Sequence, residues 1–345
     1  MAEPGMAPAD HAFFALGDFA LESGVVLPGA RLAYTTYGTL SPTKDNVILM
    51  TGGFNASVAE HASRIGGASP LDPARWFIIV IPLIGNGQSS SPSNTPPPFD
   101  GPRFPPVSIA DNVRAQHRLV TERFGIERLA LVTGFSMGAL QAYHWAAHYP
   151  EMVARIAPIC GAARCSRHNY VFLAGLAAAL KADARFNGGD TTEKPVAGLA
   201  AFGRVFAGWA FSQAFYRAEI DRRVMGFASS DDYLATYWDT LFQACDPNDL
   251  LAMVWTWQHA DISANAVFNG DFGAALAAIT ARAVVMPGET DLYFPVADNE
   301  AEVALMRDAR CAPIPSLWGH IAGAPGANAA DEAFINARIA DLLAG

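Results

Sequence analysis

The protein has 345 residues, of which 51% are hydrophobic and 16% are charged, and its formal net charge is −10. A chain of this length and composition buries a large core in one or two domains. The acidic balance argues against a nucleic-acid-binding surface and against attraction to an anionic membrane, because both partners carry negative charge.

The N-terminal segment 1–30 contains no Lys or Arg and no sustained apolar run, which argues against a secretory signal. The longest apolar run, WFIIVIPLIG at 76–85, has about half the length that a membrane-spanning helix requires. We therefore expect a cytoplasmic protein that does not bind membranes.

Short apolar runs typical of buried parallel strands recur along the chain. They are NVILMTGG (46–53), WFIIVIPLIG (76–85), LALVTGFS (129–136), ARIAPICG (154–161) and ARAVVMPG (281–288). Helical patterns separate them, and one of these begins at the N-cap Ser108 and ends at Gly125. Two earlier segments, AFFALGDFAL and ARLAYTTYG, predict an antiparallel start. This alternation predicts an α/β fold with a mainly parallel central sheet flanked by helices.

Residues 162–270 interrupt the alternation, because they contain helical patterns only and carry four of the seven tryptophans. We interpret this segment as a helical cap (lid) inserted into an α/β core of residues 1–161 and 271–345. The alternative is an additional helical layer that lies away from any functional site.

The motif Gly134-Phe135-Ser136-Met137-Gly138 follows an apolar strand and directly opens a helix. This is the setting of a nucleophile elbow, in which glycines relieve the sharp turn and the serine hydroxyl is exposed at its tip. The helix N-terminus behind the serine favours developing negative charge. Plain turn chemistry is the alternative interpretation of Ser136.

A serine nucleophile requires a histidine base that is oriented by a carboxylate. Asp291 follows the apolar run at 281–288, and His320 lies in a later glycine-rich loop before the final helix. The chain order Ser, acid, His fits a hydrolase triad. A turn or N-cap role is the alternative for Asp291, and a core position is the alternative for His320.

Other histidines and the cysteines do not indicate a metal site. His144 and His148 are four residues apart in HWAAH, but this motif lacks the glutamate of HExxH, so we expect both to pack in a helix. The four cysteines form no CxxC pair. Cys160 and Cys165 are near enough in sequence to form a disulfide, although unpaired buried thiols are the favoured interpretation.

An oxyanion hole requires two N–H donors. The amide of Met137, directly after the nucleophile, is the first candidate. The second candidate is the amide of Phe54, because Gly52 and Gly53 allow close backbone approach after the first parallel strand; an ordinary turn is the alternative. The Gly- and Ser-rich loop 84–94 lacks the lysine of a Walker loop and is predicted to be structural.

Three stretches together are similar to the homoserine O-acetyltransferase branch of the α/β-hydrolase superfamily. They are residues 111–161 with the GFSMG motif, DPNDLLAMVWTWQHADIS at 246–263, and PGETDLYFP at 287–295 with the later WGH at 318–320. The resemblance extends from about Arg31 to the end of the chain. It implies that Ser136, Asp291 and His320 form the triad, that the Phe54 and Met137 amides bind the oxyanion, and that the cap also forms a homodimer contact.

The sequence departs from this branch at the residue after the catalytic histidine. The transferases carry an aspartate there, which helps to bind the substrate ammonium, whereas this chain has Ile321 after His320. An ammonium group buried beside isoleucine without a carboxylate would be unpaired, at a cost of roughly several kcal/mol. An amino-acid acceptor is therefore disfavoured.

Three hypotheses follow. The first is a serine esterase that needs no cofactor and cleaves a small, mainly apolar ester, an acetate in particular. Its pocket would be lined by Gly53, Tyr293, Phe294, Trp318 and Ile321. The second is an O-acyltransferase that uses acetyl-CoA as co-substrate and a non-amino-acid alcohol as acceptor. Cap cations would bind the CoA phosphates, the candidates being Lys181, Arg185, Lys194, Arg204, Arg217, Arg222 and Arg223. The third is a non-catalytic ligand receptor.

Overall fold

An eight-stranded sheet forms the centre of the protein. The computed structural model describes residues 11–345, and its strands are β1 (Ala12–Ala20), β2 (Val26–Tyr37), β3 (Val47–Thr51), β4 (Phe77–Ile81), β5 (Leu131–Phe135), β6 (Arg155–Ile159), β7 (Arg282–Val285) and β8 (Ala309–Cys311). Their spatial order is β1-β2-β4-β3-β5-β6-β7-β8. The pairs β1–β2 and β2–β4 are antiparallel, and the pairs from β4 to β8 are parallel. The predicted mainly parallel sheet with an antiparallel start is confirmed.

Both faces of the parallel strands are covered, which explains their uninterrupted apolar sequences. Every residue of β3 and β4 is buried. Along β3, Val47 and Leu49 belong to one hydrophobic cluster, whereas Ile48 and Met50 belong to a second cluster on the other face. The strands are shorter than the predicted runs. At β4, for example, Pro82 follows the last strand residue and has no N–H to continue the ladder.

Twelve α-helices connect and cover the strands within residues 11–345. They are α1 (Ile109–Arg118), α2 (Met137–His148), α3 (Arg167–Lys181), α4 (Val196–Ala210), α5 (Gln213–Arg217), α6 (Ile220–Arg223), α7 (Ser230–Tyr233), α8 (Thr240–Gln243), α9 (Pro247–Gln258), α10 (Phe272–Ala277), α11 (Val296–Val303) and α12 (Ala329–Ala344). Ser108 is the N-cap of α1, as predicted, and its hydroxyl accepts a hydrogen bond from the amide of Asp111. A π-helical turn, Leu119–Arg123, continues α1 towards Gly125.

Helices α3 to α9 occupy the long connection between β6 and β7, where only helical patterns were predicted. The short helices α5 and α6 were not predicted separately. Helix α4 packs against α3 and also contacts the 3-10 turn Gly319–Gly323, so this helical segment lies next to the predicted histidine. No helix among residues 11–345 combines the length and the apolar character needed to cross a membrane. The interpretation that no secretory signal is present concerns in part residues 1–10, which lie outside the described residues.

Candidate active site

Ser136 occupies a strained corner between β5 and α2. Its backbone dihedral angles are φ 60° and ψ −122°, a conformation that a non-glycine residue seldom adopts outside functional sites. A side chain at either flanking glycine would clash with Thr51. A Cβ atom on Gly134 would lie 2.5 Å from Thr51 Oγ1, and one on Gly138 would lie 2.2 Å from the carbonyl oxygen of Thr51. The backbone therefore has the geometry of a nucleophile elbow.

The three predicted triad side chains meet in one hydrogen-bonded chain. His320, on the turn Gly319–Gly323, has its Nε2 atom 2.9 Å from Ser136 Oγ and its Nδ1 atom 2.9 Å from Asp291 Oδ2. A carboxylate only accepts hydrogen bonds, so the Asp291 contact assigns the imidazole proton to Nδ1. Nε2 is then free to accept the serine proton. All three residues are at least 95% buried.

Asp291 is oriented by the start of the following loop. Its Oδ1 atom accepts hydrogen bonds from the backbone amides of Tyr293, at 2.8 Å, and Phe294, at 3.3 Å. These two bonds leave Oδ2 for His320. The neighbouring Thr290 hydroxyl accepts from the amide of Gly319, which joins the acid loop to the histidine loop. The sequence indicated Asp291 by its position after a strand. It contains no motif that would predict the hydrogen bonds of Thr290 or of the Tyr293 and Phe294 amides.

Of the two amides predicted for an oxyanion hole, that of Met137 lies in the elbow and that of Phe54 lies on the loop after β3. Neither the Phe54 nor the Met137 N–H donates a hydrogen bond within the described part of the chain. Gly53 lies against the elbow, because a Cβ atom there would be 3.1 Å from the Phe135 carbonyl oxygen and 3.7 Å from Ser136 Cβ. The loop that carries Phe54 therefore passes close to Ser136.

Aromatic rings surround the His320 imidazole. The rings of Tyr293 and Phe135 have centroids 4.7 Å from it, and that of Phe294 lies at 5.6 Å. Trp318 and Ile321, which were also predicted to line the pocket, have other neighbours. Trp318 packs against Phe211 and Phe215 of the helical segment between β6 and β7. Ile321 is half-buried against the main hydrophobic cluster and directly follows the histidine.

The helical segment between β6 and β7 contributes an aromatic cluster that sequence reasoning did not assign to the site. The Phe54 ring lies 5.7 Å from Phe206 and 6.3 Å from both Phe202 and Trp257. Phe206 also lies 5.6 Å from Tyr293, so the cluster joins the loop that carries Phe54 to the loop that follows Asp291, which we call the acid loop. The high aromatic content of residues 162–270 was the available signal, but spacing along separate helices does not reveal which rings converge.

Comparisons with known proteins bear on the family and the fold. Residues 46–317 match the family model described as the alpha/beta hydrolase fold. This chain belongs to the α/β hydrolase family. It is 40% identical to a probable esterase of Corynebacterium glutamicum over 89% of this chain and 88% of the relative. It is 38% identical to an ethyl acetate hydrolase of Pseudomonas veronii over 95% and 94% of the respective lengths.

The same α/β hydrolase is also similar to transferases and to solved esterase structures. A homoserine O-acetyltransferase of Chlorobaculum parvum is 30% identical over 92% of this chain and 91% of its own length. The solved structure of the acetyl esterase MekB superposes with a TM-score of 0.95, at 36% identity and over 98% of both chains. The resemblance to the homoserine O-acetyltransferase branch is therefore confirmed.

Among residues 11–345, one group of side chains has the composition of a metal site. Ligand atoms of Cys160, Asp291 and His320 lie within 4.8 Å of one another, and all three residues are buried. The Asp291 and His320 atoms already bond to each other. Burial raises the pKa of the Cys160 thiol well above its usual range, so it stays protonated and is a poor ligand. We interpret Cys160 as a thiol packed beside the triad.

The cysteines of this α/β hydrolase are unpaired, and the two histidines of HWAAH pack in the fold. All four cysteines are free, so Cys160 and Cys165 do not pair. His144 is buried, its Nδ1 donates to the Leu140 carbonyl oxygen at 2.9 Å, and burial lowers its pKa to about 3. His148 contacts the Asn265 side chain. Both histidines of HWAAH thus stay inside the fold, as predicted.

Proposed function

We propose that this protein is a serine esterase that hydrolyses small carboxylic esters, and acetates in particular. The observation that carries the proposal is the continuous contact from Asp291 through His320 to Ser136, with 2.9 Å at each step. The esterase relatives, among them the ethyl acetate hydrolase and the acetyl esterase, support the same substrate class.

In the proposed mechanism Ser136 Oγ attacks the ester carbonyl carbon while its proton moves to His320 Nε2. The carbonyl oxygen becomes negative and accepts hydrogen bonds from the Phe54 and Met137 amides. His320 then gives the proton to the departing alcohol. Water attacks the acyl-enzyme by the same sequence and releases the carboxylic acid. Asp291 holds the imidazole in the tautomer that accepts at Nε2 and stabilises the imidazolium.

The aromatic cluster supports a short acyl group. Phe54 on the loop after β3, Phe206 on α4 and Tyr293 on the loop after Asp291 lie close together. Ser136 is 4% exposed and His320 is 3% exposed, so little open space adjoins the nucleophile. An acetyl group needs the least room, and an apolar alcohol suits an aromatic wall.

The second candidate function is acyl transfer from acetyl-CoA to an alcohol, and the 30% identity to a homoserine O-acetyltransferase favours it. Two features weigh against it. Ile321 places an apolar side chain where the transferases are expected to carry an aspartate. Four of the seven candidate CoA-binding cations are paired with carboxylates of the chain: Arg185, Arg204, Arg222 and Arg223.

We further propose that residues 162–270 act as the cap of a core formed by residues 1–161 and 271–345. The contact of α4 with the turn that bears His320 supports this division. Homodimerisation through the cap, the cytoplasmic location and the absence of a cofactor remain predictions.

A single set of assays separates the candidates. Purified protein is supplied with p-nitrophenyl acetate, and in parallel with acetyl-CoA plus ethanol or homoserine. We expect ester hydrolysis in the wild type and in the exposed-serine control Ser63→Ala, and background rates in Ser136→Ala. Release of free CoA that depends on an added alcohol, with slow hydrolysis of the ester, would favour the transferase.

A further inference from the structure

A buried chain of polar side chains ends at the two backbone segments that form the proposed oxyanion hole. Trp145 Nε1 donates to Gln116 Oε1 at 2.8 Å, and Gln116 Nε2 donates to Gln141 Oε1 at 2.6 Å. Gln141 Nε2 then donates to the carbonyl oxygens of Gly52, at 2.8 Å, and Met137, at 3.1 Å. All three side chains are fully buried.

The direction of this chain is determined by its first donor. An indole N–H only donates, so the oxygen of the Gln116 amide must face Trp145 and its nitrogen must face Gln141. Gln141 consequently presents its oxygen to Gln116 and both of its N–H groups to the two carbonyl oxygens. A flipped Gln141 amide would put an oxygen against two acceptors and leave them unsatisfied in the core.

The two carbonyl groups belong to the two backbone segments whose amides form the proposed oxyanion hole. Gly52 is two residues before Phe54, and its own amide already donates to the Ile81 carbonyl oxygen at 2.9 Å. Both backbone polar groups of Gly52, its N–H and its carbonyl oxygen, are thereby hydrogen-bonded. Met137 contributes the other oxyanion amide and starts α2. The side-chain amide of Gln141 thus connects the loop of Phe54 to α2, the helix behind Ser136.

We propose that Gln141 is a positioning residue that sets the separation between the two oxyanion-hole amides. The inference rests on the proposed esterase function and deepens it. Gln141 does not touch the substrate; it acts by fixing the Gly52 carbonyl relative to the first turn of α2. Oxyanion stabilisation depends on donor positions to within a fraction of an ångström, so loosening this link reduces transition-state binding more than substrate binding.

The test uses Gln141→Met, which keeps the volume of the side chain and removes its donors. We expect kcat/KM for p-nitrophenyl acetate to fall about 10- to 100-fold, with KM changed by no more than about threefold. The second readout is methylboronic acid, which mimics the tetrahedral intermediate of acetate hydrolysis. Its boron bonds to Ser136 Oγ, the serine proton passes to His320, and a boron-bound oxygen occupies the oxyanion position. The affinity for this inhibitor should fall by the same factor as kcat/KM.

Thr256→Val is a matched control. The Thr256 hydroxyl is also buried and bonds to one carbonyl oxygen four residues earlier, Ala252 at 2.9 Å, and to one distant in sequence, Val107 at 2.8 Å. It differs from Gln141 in that its hydrogen bonds go neither to the elbow nor to the Phe54 loop. We expect Thr256→Val to lower the melting temperature as Gln141→Met does, with kcat/KM and inhibitor affinity within about twofold of the wild type.

Two outcomes would overturn the inference: a Gln141→Met protein with kcat/KM and inhibitor affinity within about threefold of the wild type, or a Thr256→Val protein that loses as much activity. Should Gln141→Met fail to fold, Gln141→Glu carries the same prediction, because it keeps the acceptor for Gln116 and lacks one or both donors. A wild-type protein without Ser136-dependent hydrolysis would instead overturn the proposed function itself.

Discussion

Replacing Asp291 by asparagine tests the orientation of the proposed triad. Asp291 Oδ1 accepts two backbone N–H groups, those of Tyr293 and Phe294, and Oδ2 accepts from His320. An asparagine side chain has only one oxygen, and the two backbone N–H groups donate to it. Its NH2 group then faces His320 Nδ1, which must become an acceptor. The imidazole proton moves to Nε2, and His320 can no longer accept the proton of Ser136.

The size of the effect follows from the alternative arrangement. Turning the asparagine to restore the productive tautomer would place NH2 against two buried N–H donors, at about 1–3 kcal/mol for each unsatisfied group. The variant also lacks the negative charge that stabilises the imidazolium. Together these losses amount to about 4–6 kcal/mol, which corresponds to a reduction in kcat of about 10³- to 10⁴-fold.

The assay is steady-state hydrolysis of p-nitrophenyl acetate by Asp291→Asn, with thermal unfolding measured in parallel. We expect a melting temperature close to that of the wild type, because the backbone donors keep their acceptor. The control is Asp298→Asn, the same change at an exposed position on α11. If Asp291→Asn kept more than about a tenth of the wild-type kcat, the proposed role of this carboxylate would be refuted.

Three further predictions concern the elbow, the acyl site and a buried acid. Gly138→Ala puts a Cβ atom 2.2 Å from the Thr51 carbonyl oxygen, so we expect kcat/KM to fall more than about 100-fold. Gly175→Ala, whose Cβ would meet nothing within 4 Å, should be active; equal activity of the two variants would contradict the steric argument. Phe206→Ala removes the ring between Phe54 and the acid loop, and should raise the butyrate-to-acetate ratio of kcat/KM about tenfold; an unchanged ratio would place the acyl group elsewhere. Burial raises the pKa of the Glu302 carboxyl to about 8 in the folded protein. At pH values between the lower pKa of the unfolded chain and about 8, the folded protein therefore holds a proton on Glu302 that the unfolded chain has lost. Its unfolding free energy should therefore fall by about 1 kcal/mol per pH unit from pH 5 to 8, and Glu302→Gln should flatten this decline in urea unfolding experiments.

Much of the fold and of the candidate site was accessible from the sequence because both depend on local patterns. Apolar runs of strand length predicted the parallel sheet, since strands covered on both faces need few polar residues. Ser136, Asp291 and His320 were recognisable because each follows a strand and the chain order fits one fold. The separation of the three side chains was not accessible, because it depends on how distant loops pack.

The helical segment 162–270 shows which features the sequence could not predict. Its helices were predicted, but the convergence of Phe202, Phe206 and Trp257 on Phe54 depends on crossing angles that no single-helix pattern contains. Gln141 was passed over for a similar reason. A polar residue in the middle of an apolar helix has no motif, and its partners Gly52 and Gln116 lie 89 and 25 residues away.

The most direct test of the proposed mechanism is a rapid-quench experiment with p-nitrophenyl acetate. Protein at high concentration is mixed with the ester, quenched in acid within the first turnover, and analysed by intact-mass and peptide mass spectrometry. The account predicts one added acetyl group per chain, located on Ser136 and missing from Ser136→Ala. Hydrolysis without an acetylated intermediate, or an acetyl group on another residue such as Cys160, would contradict it.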